Sequence, residues 1–133
     1  MNELSPFIGR WKTSGKTIDG KKINGTDIYE WMDGSKFVIH TVDVLIGNER
    51  VKSMEIIGQG EHKNEFTSYA FDNNGSTNIS IMYFKNNQIT IVSERERFKG
   101  EFKAMGKIIE GKWEKPSDKD WEYLMDIRLE KEV

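Results

Sequence analysis

The sequence predicts an all-β protein: a closed up-and-down antiparallel β-barrel of about ten strands, with a short N-terminal helical turn. Three observations lead there. Large apolar residues alternate with polar ones at period two, as in Thr77, Ile79, Ile81 and Tyr83, and again in Trp121, Tyr123, Met125, Ile127 and Leu129. No long window carries a helical period. Turn-forming pairs that tolerate positive φ punctuate these runs, among them Asp33-Gly34, Gly47-Asn48, Asn73-Asn74-Gly75 and Asn86-Asn87. The connections are short enough for sequence neighbours to pair as hairpins, and a long meander hides its two edges by closing on itself.

Taken in order, the opening segment has room for one helical turn before Pro6, a short lid, after which Phe7 and Ile8 lead into Gly9. Strands are expected over residues 9–18, 26–32, 36–46, 51–57, 65–71, 77–84, 88–95, 97–104, 107–114 and 121–130. Both prolines fall at breaks, and no repeat, low-complexity tract or linker divides the chain. A single barrel domain over residues 1–133 is the expectation. By parity, the inward set is Trp11, Tyr29, Trp31, Tyr69, Phe71, Ile79, Ile81, Tyr83, Ile89, Ile91, Phe98, Phe102, Trp113, Tyr123, Met125 and Ile127.

Composition removes several function classes. The chain has 133 residues, a net charge of -2 and no cysteine, so disulfides, thiolate nucleophiles, cysteine zinc sites and iron–sulfur clusters are excluded. The 20 basic residues are scattered among 22 acidic ones, without the electrostatic footprint of a nucleic-acid binder. No apolar run is long enough for a membrane helix, and the first residues lack the charge and apolar core of a signal peptide. A cytoplasmic protein with no nucleic-acid or membrane partner is expected.

Gly9-Arg10-Trp11, a G-x-W at the head of the first strand, resembles the opening of the calycin proteins, which include lipocalins and intracellular fatty-acid-binding proteins. The further pattern of Gly25-Thr26, Tyr29-Glu30-Trp31 and Gly34 before a long apolar strand looks like a group of bacterial lipocalin-like domains to which no reaction is attached. The resemblance implies that Gly9 and Trp11 plug one end of the barrel and that a basic residue of the last strand, Arg128, packs across the indole. A cation over an indole contributes about 0.5–2 kcal/mol. The chain departs from fatty-acid binders in showing no helix pair between its first two strands, and from many lipocalins in having no disulfide.

A barrel of this size either fills with side chains or encloses a small-ligand pocket, and composition leaves both readings open. In the pocket reading, Tyr29, Trp31, Tyr69, Tyr83, Trp113 and Tyr123 offer hydroxyl or indole N–H groups to a ligand, and in the filled reading those tips bond backbone. His40 lies in an apolar two-faced strand, where it is either a satisfied core histidine or a ligand contact, proton acceptor or haem ligand. Arg95 shares parity with Ile89 and Ile91, so it either grips a ligand carboxylate or joins cross-strand ion pairs on a wet face. His62 sits in a polar turn, and two histidines 22 residues apart make no metal motif. No nucleophile elbow, phosphate loop or dinucleotide fingerprint appears, so no catalytic residue, resident cofactor or metal is assigned. The leading expectation is non-catalytic binding of a small apolar or amphipathic molecule. The alternatives are a cavity enzyme or haem barrel using His40, and an interaction module or homodimer joined through residues 36–46.

Overall fold

The computed structural model describes residues 2–133 and contains ten strands among them. They are β1 Gly9–Thr17, β2 Lys22–Trp31, β3 Val38–Ile46, β4 Glu49–Gln59, β5 Glu65–Asp72, β6 Thr77–Lys85, β7 Gln88–Val92, β8 Arg97–Lys103, β9 Ile108–Pro116 and β10 Trp121–Lys131. Each pairs antiparallel with its sequence neighbours, and β1 closes the ring on β10. The expected fold class is the observed one. No helix among the described residues is long and apolar enough to cross a membrane.

The turns set where strands begin. Asp19-Gly20 turns tightly enough for β2 to start at Lys22, four residues before the expected position. β7 ends at Val92, so Arg95 belongs to the β7–β8 loop rather than to a strand. In β10 an extra residue, Leu124, shifts the register between Tyr123 and Met125. That bulge turns Tyr123 to the outer face, where Lys112 lies 5.0 Å from its ring.

Closing a narrow barrel requires sharp bends, and glycines at inward positions permit them. Gly100 and Gly111 pair directly across β8 and β9, and the Phe98 ring covers both. A methyl group added at Gly111 would overlap that ring, and one at Gly25 would overlap the Asp43 carbonyl.

One end of the barrel is stoppered. A 3₁₀ segment, Asn2–Phe7, runs through Pro6 and drives Leu4 and Phe7 into the opening, where both are buried. Phe7 contacts Tyr29, Phe84 and Phe102 at ring-centroid distances of 5.0–5.4 Å. Trp11 is fully buried, and its indole N–H donates to the Phe7 carbonyl at 2.8 Å. Gly9 and Trp11 both lie at this closed end. Arg128 does not pack across the indole as the resemblance implies. Lys131, directly opposite Trp11 in the register, holds its ammonium 4.9 Å from the indole centroid and donates to the Pro6 carbonyl at 3.2 Å. Arg128 has the outward parity of β10 and lies 3.9 Å from Glu110 and from Glu130 on the wet face.

The sharpest difference from the sequence reading is the facing of β5 and β6. Phe66, Ser68, Ser80, Met82 and Phe84 point in, whereas Tyr69, Phe71, Ile79, Ile81 and Tyr83 are on the outside, with Ile79 62% exposed. Both parities of these strands carry apolar residues, so alternation alone does not say which is inside. The inner set wins because Phe66, Met82 and Phe84 complete the closed-end core, while the outer set forms cross-strand pairs such as Tyr69 with Ile79.

Candidate functional site

Above the stoppered end the barrel encloses a cavity of about 460 Å³ that opens at the far mouth, beside the β5–β6 and β7–β8 loops. The filled-barrel alternative does not describe this interior. One wall, from β7 to β10, is apolar and includes Ile91, Phe98, Trp113, Met125 and Ile127. Phe98 and Trp113 pack with tilted rings 5.2 Å apart.

The opposite wall carries a polar chain that crosses five consecutive strands. His40 on β3 has Nε2 at 2.7 Å from Asp27 Oδ2 on β2 and Nδ1 at 2.7 Å from Glu55 Oε1 on β4. The Thr13 hydroxyl on β1 donates to the other Asp27 oxygen, and the Ser68 hydroxyl on β5 donates to the other Glu55 oxygen. The Tyr29 ring stacks on the imidazole, with centroids 3.8 Å apart and planes 8° from parallel.

This geometry determines the charge on His40. A neutral imidazole has one N–H, so one of its nitrogens would point a lone pair at a carboxylate; only the imidazolium donates to both acids. Burial by itself would lower the His40 pKa, but the hydrogen bonds to Asp27 and Glu55, with the charges of those acids, outweigh it and raise the pKa to about 9. Burial likewise works against ionised Glu55, yet His40 and the Ser68 hydroxyl hold its pKa below the usual carboxylate value. Tyr29 is pushed well up by burial and by the negative charges of Asp27 and Glu55, so its phenol stays protonated.

Among the residues expected to meet a ligand, Tyr29, His40, Trp113 and Arg95 line the cavity, Arg95 as an exposed side chain at its mouth. Trp31 packs against the closed-end core instead. Tyr69, Tyr83 and Tyr123 lie on the outer wall, away from the cavity, for the reasons of facing and bulge given above. His62 is exposed in its turn. With both ring nitrogens held by acids and one ring face covered by Tyr29, His40 has no lone pair for a haem iron or a substrate proton. Neighbouring Arg97 forms an outer cross-strand ion pair with Glu114 at 2.8 Å and lies 4.5 Å from the Trp121 ring centroid.

The sequence reading missed Asp27, Glu55, Thr13 and Ser68. For Asp27 and Glu55 a signal was present. Asp27 shares parity with Tyr29, and the two-residue turn Gly47-Asn48 sets Glu55 directly opposite His40, seven residues out along each arm.

Fold and site together define a closed, ten-stranded antiparallel barrel with one stoppered end and a half-polar, half-apolar cavity. No protein-family model matches the chain, and the comparison with curated proteins gives no match. Among solved structures it is similar to a redesigned β-barrel, mFAP1, bound to DFHBI, with a TM-score of 0.55 and 6% identity over 98% of this chain and 100% of that one. It is also similar to a de novo designed fluorescence-activating β-barrel, with a TM-score of 0.53 and 12% identity over 99% of both chains. A further redesigned β-barrel aligns at a TM-score of 0.54 and 6% identity, covering 99% of this chain and 96% of that one. At such identities the likeness is one of fold.

Proposed function

We propose that this protein is a lipocalin-like binder that takes one small amphipathic molecule into its barrel without transforming it. The single observation that carries the reading is the cavity of about 460 Å³, a volume within the range of small-molecule sites and lined by an apolar wall facing a few convergent polar groups. Tyr29 and His40 bound its deep polar side, Trp113 its apolar side, and Arg95 its mouth. The binding of DFHBI by a barrel of the same fold supports the reading as an analogy of architecture. The Gly9 and Trp11 plug with a cation across it supports calycin-like membership. The full engagement of His40 favours a positioning role over a catalytic one.

The test is fluorescence titration with the neutral apolar dye N-phenyl-1-naphthylamine. Saturable enhancement at one site per chain is expected. Ala70 lines the cavity, so Ala70→Trp, which fills that space, should abolish the enhancement while the circular dichroism of the barrel persists. Dye binding that survives the filled cavity would place the site elsewhere and end the proposal.

A further inference from the structure

The cavity's charge is lopsided. Asp27, Glu55, Asp72 and Glu96 line it against only two cations, protonated His40 and Arg95. Three of these acids are already employed. Asp27 and Glu55 share His40, and Asp72 caps its turn by accepting from the backbone N–H groups of Asn74 and Ser76. Glu96, half-buried on the β7–β8 loop, has Arg95 as its neighbouring charge, and its carboxylate accepts no hydrogen bond among the described residues. Across the cavity from Asp27 and Glu55 is the apolar wall with the Phe98 and Trp113 rings, and the β7–β8 loop that carries Glu96 runs into that wall at Phe98.

Resting on the binding reading above, we propose that the cavity selects an organic cation: an apolar, ring-bearing body against Phe98 and Trp113, with a protonated amine directed to Glu96 and the Glu55 side of the polar wall. An anionic ligand gains Arg95 only at the exposed mouth, and any deeper position brings its charge toward Glu55 and Asp27. A neutral ligand can donate a hydrogen bond to Glu96 but brings it no counter-charge. An ammonium donates a charge-assisted hydrogen bond, adds attraction to the negative wall, and can lie on the Trp113 ring face. The electrostatics of Glu96 are in keeping with this: burial raises its pKa above the ordinary value, Arg95 offsets only part of that rise, and the charge of Glu55 adds to it.

Three probes matched in ring and differing in head group separate the outcomes: 2-(1-naphthyl)ethylamine, 2-(1-naphthyl)ethanol and 1-naphthaleneacetic acid, titrated calorimetrically at pH 7. The amine should bind about tenfold or more tightly than the alcohol, with the acid weakest. Glu96→Gln, on a loop and with no hydrogen bond to lose, should remove that preference, leaving alcohol affinity and melting temperature unchanged. Arg95→Gln should tighten the amine severalfold. If the alcohol or the acid binds best, or if Glu96→Gln weakens all three equally, the cation proposal is overturned while the binding cavity stands. If none of the three binds, both fail.

Discussion

At the scale of single residues, the interior is organised around a charge that hydrophobic patterning does not anticipate. Taking His40 out of water is costly, and the two carboxylates offset that cost only while all three groups are present. His40→Ala leaves Asp27 and Glu55 buried without the shared cation, and about 3–5 kcal/mol of stability should be lost in urea denaturation. Replacing the set together, as Asp27→Leu, His40→Phe and Glu55→Leu, should cost far less or nothing. The linkage has a definite sign. Because the folded pKa of His40 is about 9 against an ordinary 6.5, its contribution is complete below about pH 6.5 and disappears as pH rises through 9. Unfolding free energy should fall by on the order of 3 kcal/mol across that window, and the triple variant should show no such fall. Glu55, whose folded pKa is lowered, adds stability that is lost on acidification below its ordinary value of 4.5. A flat profile between pH 6.5 and 9 in the natural sequence would contradict the imidazolium assignment.

At the scale of elements, the closed end is built from the 3₁₀ segment, the head of β1 and the tail of β10. Trp11 is its centre, and Trp11→Ala should destabilise by about 3–5 kcal/mol through the cavity it leaves. The two basic residues of β10 separate by facing. Lys131 lies over the indole and hydrogen-bonds Pro6, so Lys131→Ala should cost about 1–2 kcal/mol. Arg128 makes only long contacts with exposed acids, and Arg128→Ala should stay within about 0.5 kcal/mol. Equal losses in thermal melts would restore Arg128 as the basic partner of Trp11. Gly9 belongs to the same device, since the Lys131 stem runs alongside it.

At the scale of the whole molecule, closure is a steric problem solved where the backbone passes close to other groups. Gly100 and Gly111 lie beneath Phe98, and Phe98 in turn forms part of the cavity wall. One bend therefore supports both the ring of strands and the site. Gly111→Ala forces Phe98 or the paired strand to move, and a loss of about 1–3 kcal/mol is expected, together with weaker dye binding. Unchanged melting and binding would show that this corner has slack. Stability and site also meet in the polar chain from Thr13 to Ser68, which ties five strands at one depth and forms the acidic side of the cavity.

Fold class, strand order and most turns were legible in the sequence, because a period of two and residues able to adopt positive φ are local properties. Trp11, Tyr29 and Trp113 were readable as inward for the same reason. The facing of β5 and β6 was not, since Ile79 and Met82 are comparably apolar and only packing against Phe7 and the closed-end core chooses between their parities. Glu55 opposite His40 followed from a tight turn, but the shared proton depended on Asp27 arriving from the other flank. The chain by itself determined that a barrel forms. Tertiary structure decided which side of each strand faces inward, and hence the cavity, its charge and its basic plug, because those depend on groups brought together from strands far apart in sequence.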